Sequence, residues 1–203
     1  MPTENMPPSI EAKKKGVLKM KTITDKSEAL EALEKNGITL QSLSSELRDD
    51  EEVVRKAIQE WAGEFEYASP RLQDNEQIVT KAVLKCGPML GYASERLRNN
   101  AEIVKKAVLT HGWALEYCSL ELRDNEDIVS TAVEKNGWLL GIASERLQDD
   151  ASIVKKAVKS WGLALAYASD RLKDHDEIVS IAKQENAESL MYASRRLQKK
   201  LEV

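Results

Sequence analysis

The residues that could do chemistry in this chain are few, and their spacing argues against catalysis. Serine stands at Ser44 and at every twenty-fifth residue after it, through Ser69, Ser94, Ser119, Ser144 and Ser169 to Ser194. A nucleophilic hydroxyl needs a base within hydrogen-bond reach. Only two histidines exist, His111 and His175, and they fall at different offsets from the serines. There is no Gly-x-Ser-x-Gly elbow and no glycine-rich phosphate loop. No Cys, His and carboxylate set has metal-ligand spacing. The expectation is a chain that is not an enzyme, with no catalytic residue, no metal and no cofactor. Cys86 and Cys118 also sit at unlike offsets, which predicts two reduced thiols rather than a disulfide.

What remains is the chemistry of recognition. Trp61, His111, Trp113, Trp138 and Trp161 fall within three consecutive offsets of a twenty-five-residue period, so they are expected along one edge. Exposed tryptophan is a common binding anchor; the opposing reading is that the rings fill gaps between layers. Arg71, Arg96, Arg146, Arg171 and Arg196 form a second row, and Arg48, Arg98, Arg123 and Lys173 a third. These rows read either as a basic ridge for phosphates or carboxylates, or as ladders pairing with acids of neighbouring copies.

Those rows require repeated elements to hold them. Copies open at Gly37, Ala62, Gly87, Gly112, Gly137 and Gly162, with a partial copy at Ala187. Numbering each from 1 to 25, glycine at position 1 reads as a left-handed residue closing the preceding helix. A short helix A follows over positions 2 to 7. Serine at position 8 reads as an N-cap, supported by Pro70 directly after Ser69. Asp or Asn at position 13 reads as the N-cap of helix B, over positions 14 to 25. Its apolar positions 17, 18, 21 and 22, as in Ile103, Val104, Ala107 and Val108, share one face. No unit can bury this face alone, so copies must stack. The fold expected is an all-α solenoid of 25-residue helix–turn–helix units over 37–203, right-handed or of a hand the spacing does not determine. A capping helix is expected over 24–36, with capping-box spacing in Asp25 and Glu28.

Residues 1–23 differ. Pro2, Pro7 and Pro8 disfavour a helix, and Lys13, Lys14, Lys15, Lys19 and Lys21 follow. This reads as a flexible basic arm, or as a tether for an acidic surface. Net charge is −4, so the chain lacks the overall basic field usual in nucleic-acid binders. With no long apolar run and no apolar leader, no membrane span is expected and a cytoplasmic location is.

The stretch Tyr92-Ala-Ser-Glu-Arg-Leu-Arg-Asn-Asn100, followed by Ile103-Val-Lys-Lys-Ala-Val108, resembles the tandem helical repeats of domain-of-unknown-function family 4116. The similarity covers about residues 37–203. It departs where Ser42 and Ile142 replace the tyrosine and where Glu46 and Glu121 replace the arginine. The resemblance implies an all-α array, no established activity and no catalytic residues. The functional expectation is a scaffold that binds a protein or peptide along one edge or a concave face. A single-stranded nucleic-acid binder is the alternative, and a structural or oligomerising module the third.

Overall fold

The computed structural model describes residues 22–35 and 37–201, so the basic arm lies outside the described residues except for Thr22 and Ile23. Every named element is helical; the described residues contain no strand, only an isolated bridge between Ile23 and Leu43. The long helices are α1 (Lys26–Glu34), α2 (Glu51–Glu60), α3 (Glu76–Lys85), α4 (Ala101–Thr110), α5 (Glu126–Lys135), α6 (Ala151–Ser160) and α7 (Asp176–Glu185). Between them run short 3-10 segments, such as Gly87–Tyr92 and Gly112–Tyr117, each followed by a single helical turn, such as Glu95–Arg98. The 3-10 segments stack on one another in one layer and the long helices in a second. Among the described residues no helix is long and apolar enough to cross a membrane.

Helix A is thus a 3-10 segment rather than the α-helix expected. Its neighbours explain why. Position 25 is extended, as at Cys86 and His111, and so is position 7. Only six residues lie between these stops. Ala93 N–H closes onto Leu90 O at 3.1 Å, an i→i+3 bond. So short a segment completes more bonds with 3-10 than with α geometry.

Three details of the caps also differ from expectation. First, helix B is capped by position 14, not 13: Asn100 Oδ1 accepts from Glu102 N (3.1 Å) and Ile103 N (3.2 Å). Position 14 accordingly holds Asp50, Asn75, Asn125 and Asp150 in other copies, and only His175 fails to cap. Second, helix B spans positions 15 to 24. Third, glycine at position 1 is not left-handed. It lies against helix B of its own copy: a Cβ on Gly87 would sit 2.4 Å from Ala107 O, and one on Gly137 2.3 Å from Ala157 O. The glycine is needed for close approach, not for backbone conformation.

Serine at position 8 has two tasks. Its oxygen caps the following turn, as in Leu97 N to Ser94 Oγ at 3.3 Å. Its hydroxyl then donates to position 13 of the preceding copy, linking Ser69 to Asp49, Ser94 to Asp74 and Ser144 to Asp124. The same serine's N–H donates to the carbonyl of position 12 in the preceding copy, for example Ser94 to Gln73 O at 2.9 Å. At the first copy Ile23 O, one period before Arg48, receives Ser44 N in the same way at 2.9 Å. At the other end, Lys183 Nζ donates to Leu201 O, closing the last described helix, Arg195–Leu201.

The core is one continuous cluster along the array. Ile78, Val79, Ala82 and Val83 of α3 are fully buried, as are Val104, Ala107 and Val108 of α4. Each large aliphatic side chain so buried contributes about 1.5–3 kcal/mol. An exposed ion pair contributes about 0–1 kcal/mol. The apolar stripe therefore holds the layers together, and the polar links set their register.

Candidate docking face

The arginine row is a ladder. Arg96 Nε meets Asp74 Oδ1 at 3.1 Å, its Nη1 meets Glu76 Oε1 at 2.8 Å, and its Nη2 donates to Asp74 O at 2.8 Å. Arg146 repeats this on Asp124 and Glu126; Arg71 and Arg171 repeat the Asp contacts on Asp49 and Asp149. The two exceptions have a physical reason. Glu46 belongs to the first numbered copy, and the residue one period before Asp49 is Thr24, not an acid. Glu121 meets Asn99 instead of Asp, and Asn99 Nδ2 donates to Glu121 Oε2 at 3.1 Å. An aspartate there would face a like charge. At the third row's position Arg123 Nη2 donates to Glu116 O at 2.9 Å and Gln73 to Glu66 O at 3.1 Å, while Arg48 and Arg98 bury their Nε without a hydrogen-bond partner. Arg123 and Gln73 tie off the 3-10 carbonyls of their own copy.

The ladder carries a pH signature. The serine hydroxyl first, and the arginine second, hold Asp74, Asp124 and Asp149 below the ordinary carboxylate range. Lys200 and Arg196 push Asp176 from 3.8 to about 2. A carboxylate with a depressed native pKa stabilises the fold above its unfolded value, and loses that contribution as pH falls through the native one. The melting temperature should be flat above about pH 5, the point at which such a carboxylate begins to protonate, and fall between there and about pH 2. Asp74→Asn should make that fall shallower. An identical acid limb in the variant would remove the ladder as its cause.

Three more lysines on the long helices are engaged across copies. Lys155 meets Glu177 at 2.7 Å, Lys156 meets Glu134 at 2.6 Å, and Lys105 meets Asp127 at 3.7 Å.

The tryptophans behave differently. Trp61 is 63% exposed, and Trp113, Trp138 and Trp161 between 37% and 39%. None of them is fully buried between layers. His111 is half-buried and accepts Gly87 N–H on Nδ1 at 3.1 Å. Its ring meets Trp113 edge-on at 6.3 Å, and Trp113 lies 6.1 Å from Tyr117. Trp161 lies 6.4 Å from Tyr167. The structure thus joins His111, Trp113 and Tyr117 into one aromatic run and Trp161 and Tyr167 into another.

Sequence reasoning missed the tyrosines' part in this face. The spacing gave position 6 no place on this face, yet Tyr92 and Tyr167 are exposed and Tyr117 half-buried. A Cβ on Gly91 would sit 2.8 Å from the Tyr117 ring, and one on Gly141 2.8 Å from the Tyr167 ring. The signal was present: glycine occurs at position 5 only in two copies, and each is followed by a copy with tyrosine at position 6. Glu64 was missed too. It is buried, its carboxylate accepts Leu40 N–H at 2.5 Å, and burial pushes its pKa up.

Cys86 and Cys118 are unpaired. No curated protein and no solved structure matches the chain. The family model described as a domain of unknown function, DUF4116, matches residues 25–73, 75–123, 100–148, 125–166 and 150–198, overlapping segments that follow one another along the array. Covering nearly all of the described chain, that tandem match means that the protein belongs to the DUF4116 family.

Proposed function

We propose that the chain is a non-catalytic docking scaffold, an α-solenoid of 25-residue units whose 3-10 flank binds a protein or peptide. One observation supports this above the others. The second row of arginines and three of the long-helix lysines are tied to neighbouring copies, while the tryptophan rings stay more than one-third exposed. Large exposed rings are common anchors of an interface. Stacked units present such anchors along an extended surface.

A single-stranded nucleic acid is the weaker reading. Stacking on rings must be accompanied by cations for the phosphates. The six-residue 3-10 segments, from Ala62–Tyr67 to Ala187–Tyr192, contain Glu64, Glu66, Glu116 and Glu188 and no lysine or arginine.

The test is selection from a displayed random-peptide library against the full chain and against a Trp113→Ala/Trp138→Ala variant. Peptides enriched on the parent should shield its tryptophans from acrylamide quenching and lose at least about tenfold in affinity for the variant, a loss in the range for interface tryptophans. Equal binding to both proteins, or no enrichment, rejects the flank as a docking face.

A further inference from the structure

Between the third and fourth 3-10 segments lies an open groove of about 300 Å³ lined by Pro88, Met89, Gly91, Tyr92 and Tyr117. We infer that this groove holds the side chain of a lysine or arginine from a basic peptide; the inference rests on the docking-face reading above.

Charge and shape both point to that occupant. Gly91 leaves the floor open, and the Tyr117 ring lies against it. Trp113 extends the aromatic wall beyond Tyr117. The faces of tyrosine and tryptophan rings carry negative potential and attract a cation within about 6 Å. Pro88 and Met89 supply apolar surface for the methylenes of a long cationic side chain. Exposed Glu66, which lies close to Tyr92, and exposed Glu116, the chain neighbour of Tyr117, stand at position 5 of the copies on either side of Gly91. Burial first, and the nearby Glu66 carboxylate second, hold the Tyr92 phenol's proton more tightly. No lysine, arginine or histidine belongs to the 3-10 segments from Ala62 to Tyr117. Arg123 is turned onto Glu116 O. Arg98, at the same offset in the copy that holds Gly91, is half-buried, its Nε enclosed without a hydrogen-bond partner. An anionic side chain would approach the Glu66 and Glu116 carboxylates. An uncharged apolar one would desolvate those carboxylates with no compensating partner.

The experiment uses the full chain and labelled short oligolysine, oligoarginine, oligoglutamate and glycine–serine peptides. Binding is read by fluorescence anisotropy at low and moderate salt. Glu66→Gln and Tyr117→Leu should each weaken the cationic peptides by about 3- to 10-fold, the range a partly desolvated cation–ring contact corresponds to. Tyr117→Phe keeps the ring and should hold more of the affinity than Tyr117→Leu. Glu102→Gln, exposed on α4, removes an acid from the other layer and should leave binding unchanged. Unaltered melting temperatures establish that the variants are folded. The inference is overturned if neither cationic peptide binds, if Glu66→Gln and Tyr117→Leu bind like the parent, or if oligoglutamate or single-stranded RNA binds as well. Should uncharged library peptides bind in a Trp113-dependent way while the cationic peptides do not, the docking face stands and its cation preference falls.

Discussion

Replacing Ile128 with aspartate is expected to break the array into two independently melting halves. Ile128 is 2% exposed and opens the apolar stripe of α5, a long helix in the middle of the array. The substitution removes a buried aliphatic side chain, about 1.5–3 kcal/mol, and places a carboxylate among apolar neighbours without a paired cation, which costs several kcal/mol more. Set against a total stability of about 5–15 kcal/mol for a domain, that is enough to unfold the middle copy. In a stacked array each copy depends on its neighbours, so loss of the middle uncouples the ends. Circular dichroism should show a melt that separates into two transitions. Hydrogen exchange should show protection lost across Glu126–Lys135 and partly kept in α2 and α7. The deficit should shrink toward acid, because a buried aspartic acid costs less when neutral. A single transition at the parent's midpoint would refute the dependence of each copy on the next.

Gly137→Ala should have the next largest effect for the smallest change in atoms. Its Cβ would lie 2.3 Å from Ala157 O and 2.9 Å from the Trp161 Cβ. The carbonyl belongs to α6 and cannot turn aside without disturbing the helix end, where Trp161 N–H bonds Ala157 O at 2.9 Å. The 3-10 segment must instead move away from the long helix, and overpacking of this kind costs about 1–3 kcal/mol. Gly63→Ala is the informative comparison. The three nearest atoms to its Cβ would all belong to the ring of Trp61, from 2.7 Å, and that residue is exposed rather than held in the core. Thermal melts should show a drop of several degrees for Gly137→Ala and little change for Gly63→Ala. Equal effects would mean that glycine at position 1 serves something other than close approach.

The two aromatic runs illustrate where sequence reading stops. Tryptophans within three consecutive offsets were legible as an edge, because period alone places them together. Whether the rings faced solvent or the next layer was not legible, since either arrangement preserves the period. Tyr117 was legible only by comparing one copy with the next. Its partner is Gly91, in the preceding copy, and nothing local to either residue marks the pair. The arginine ladder lies between these cases. Both readings of that row were open in the sequence, and the exception at Glu121 already held the answer. Asn replaces Asp at position 99, just where the next copy lacks an arginine.

The amino-acid order by itself determined the all-helical class, the stacked copies, the apolar stripe of the long helices and the serine caps. Each follows from periodicity or from bonds between residues three or four apart. Only the tertiary structure decided that position 13 links copies while position 14 caps, that glycine serves contact rather than a left-handed turn, and which rings stay uncovered. These depend on distances between backbones roughly twenty residues apart along the chain. A side chain's nearest neighbour across a layer is set by packing of the whole array, which local propensity does not encode.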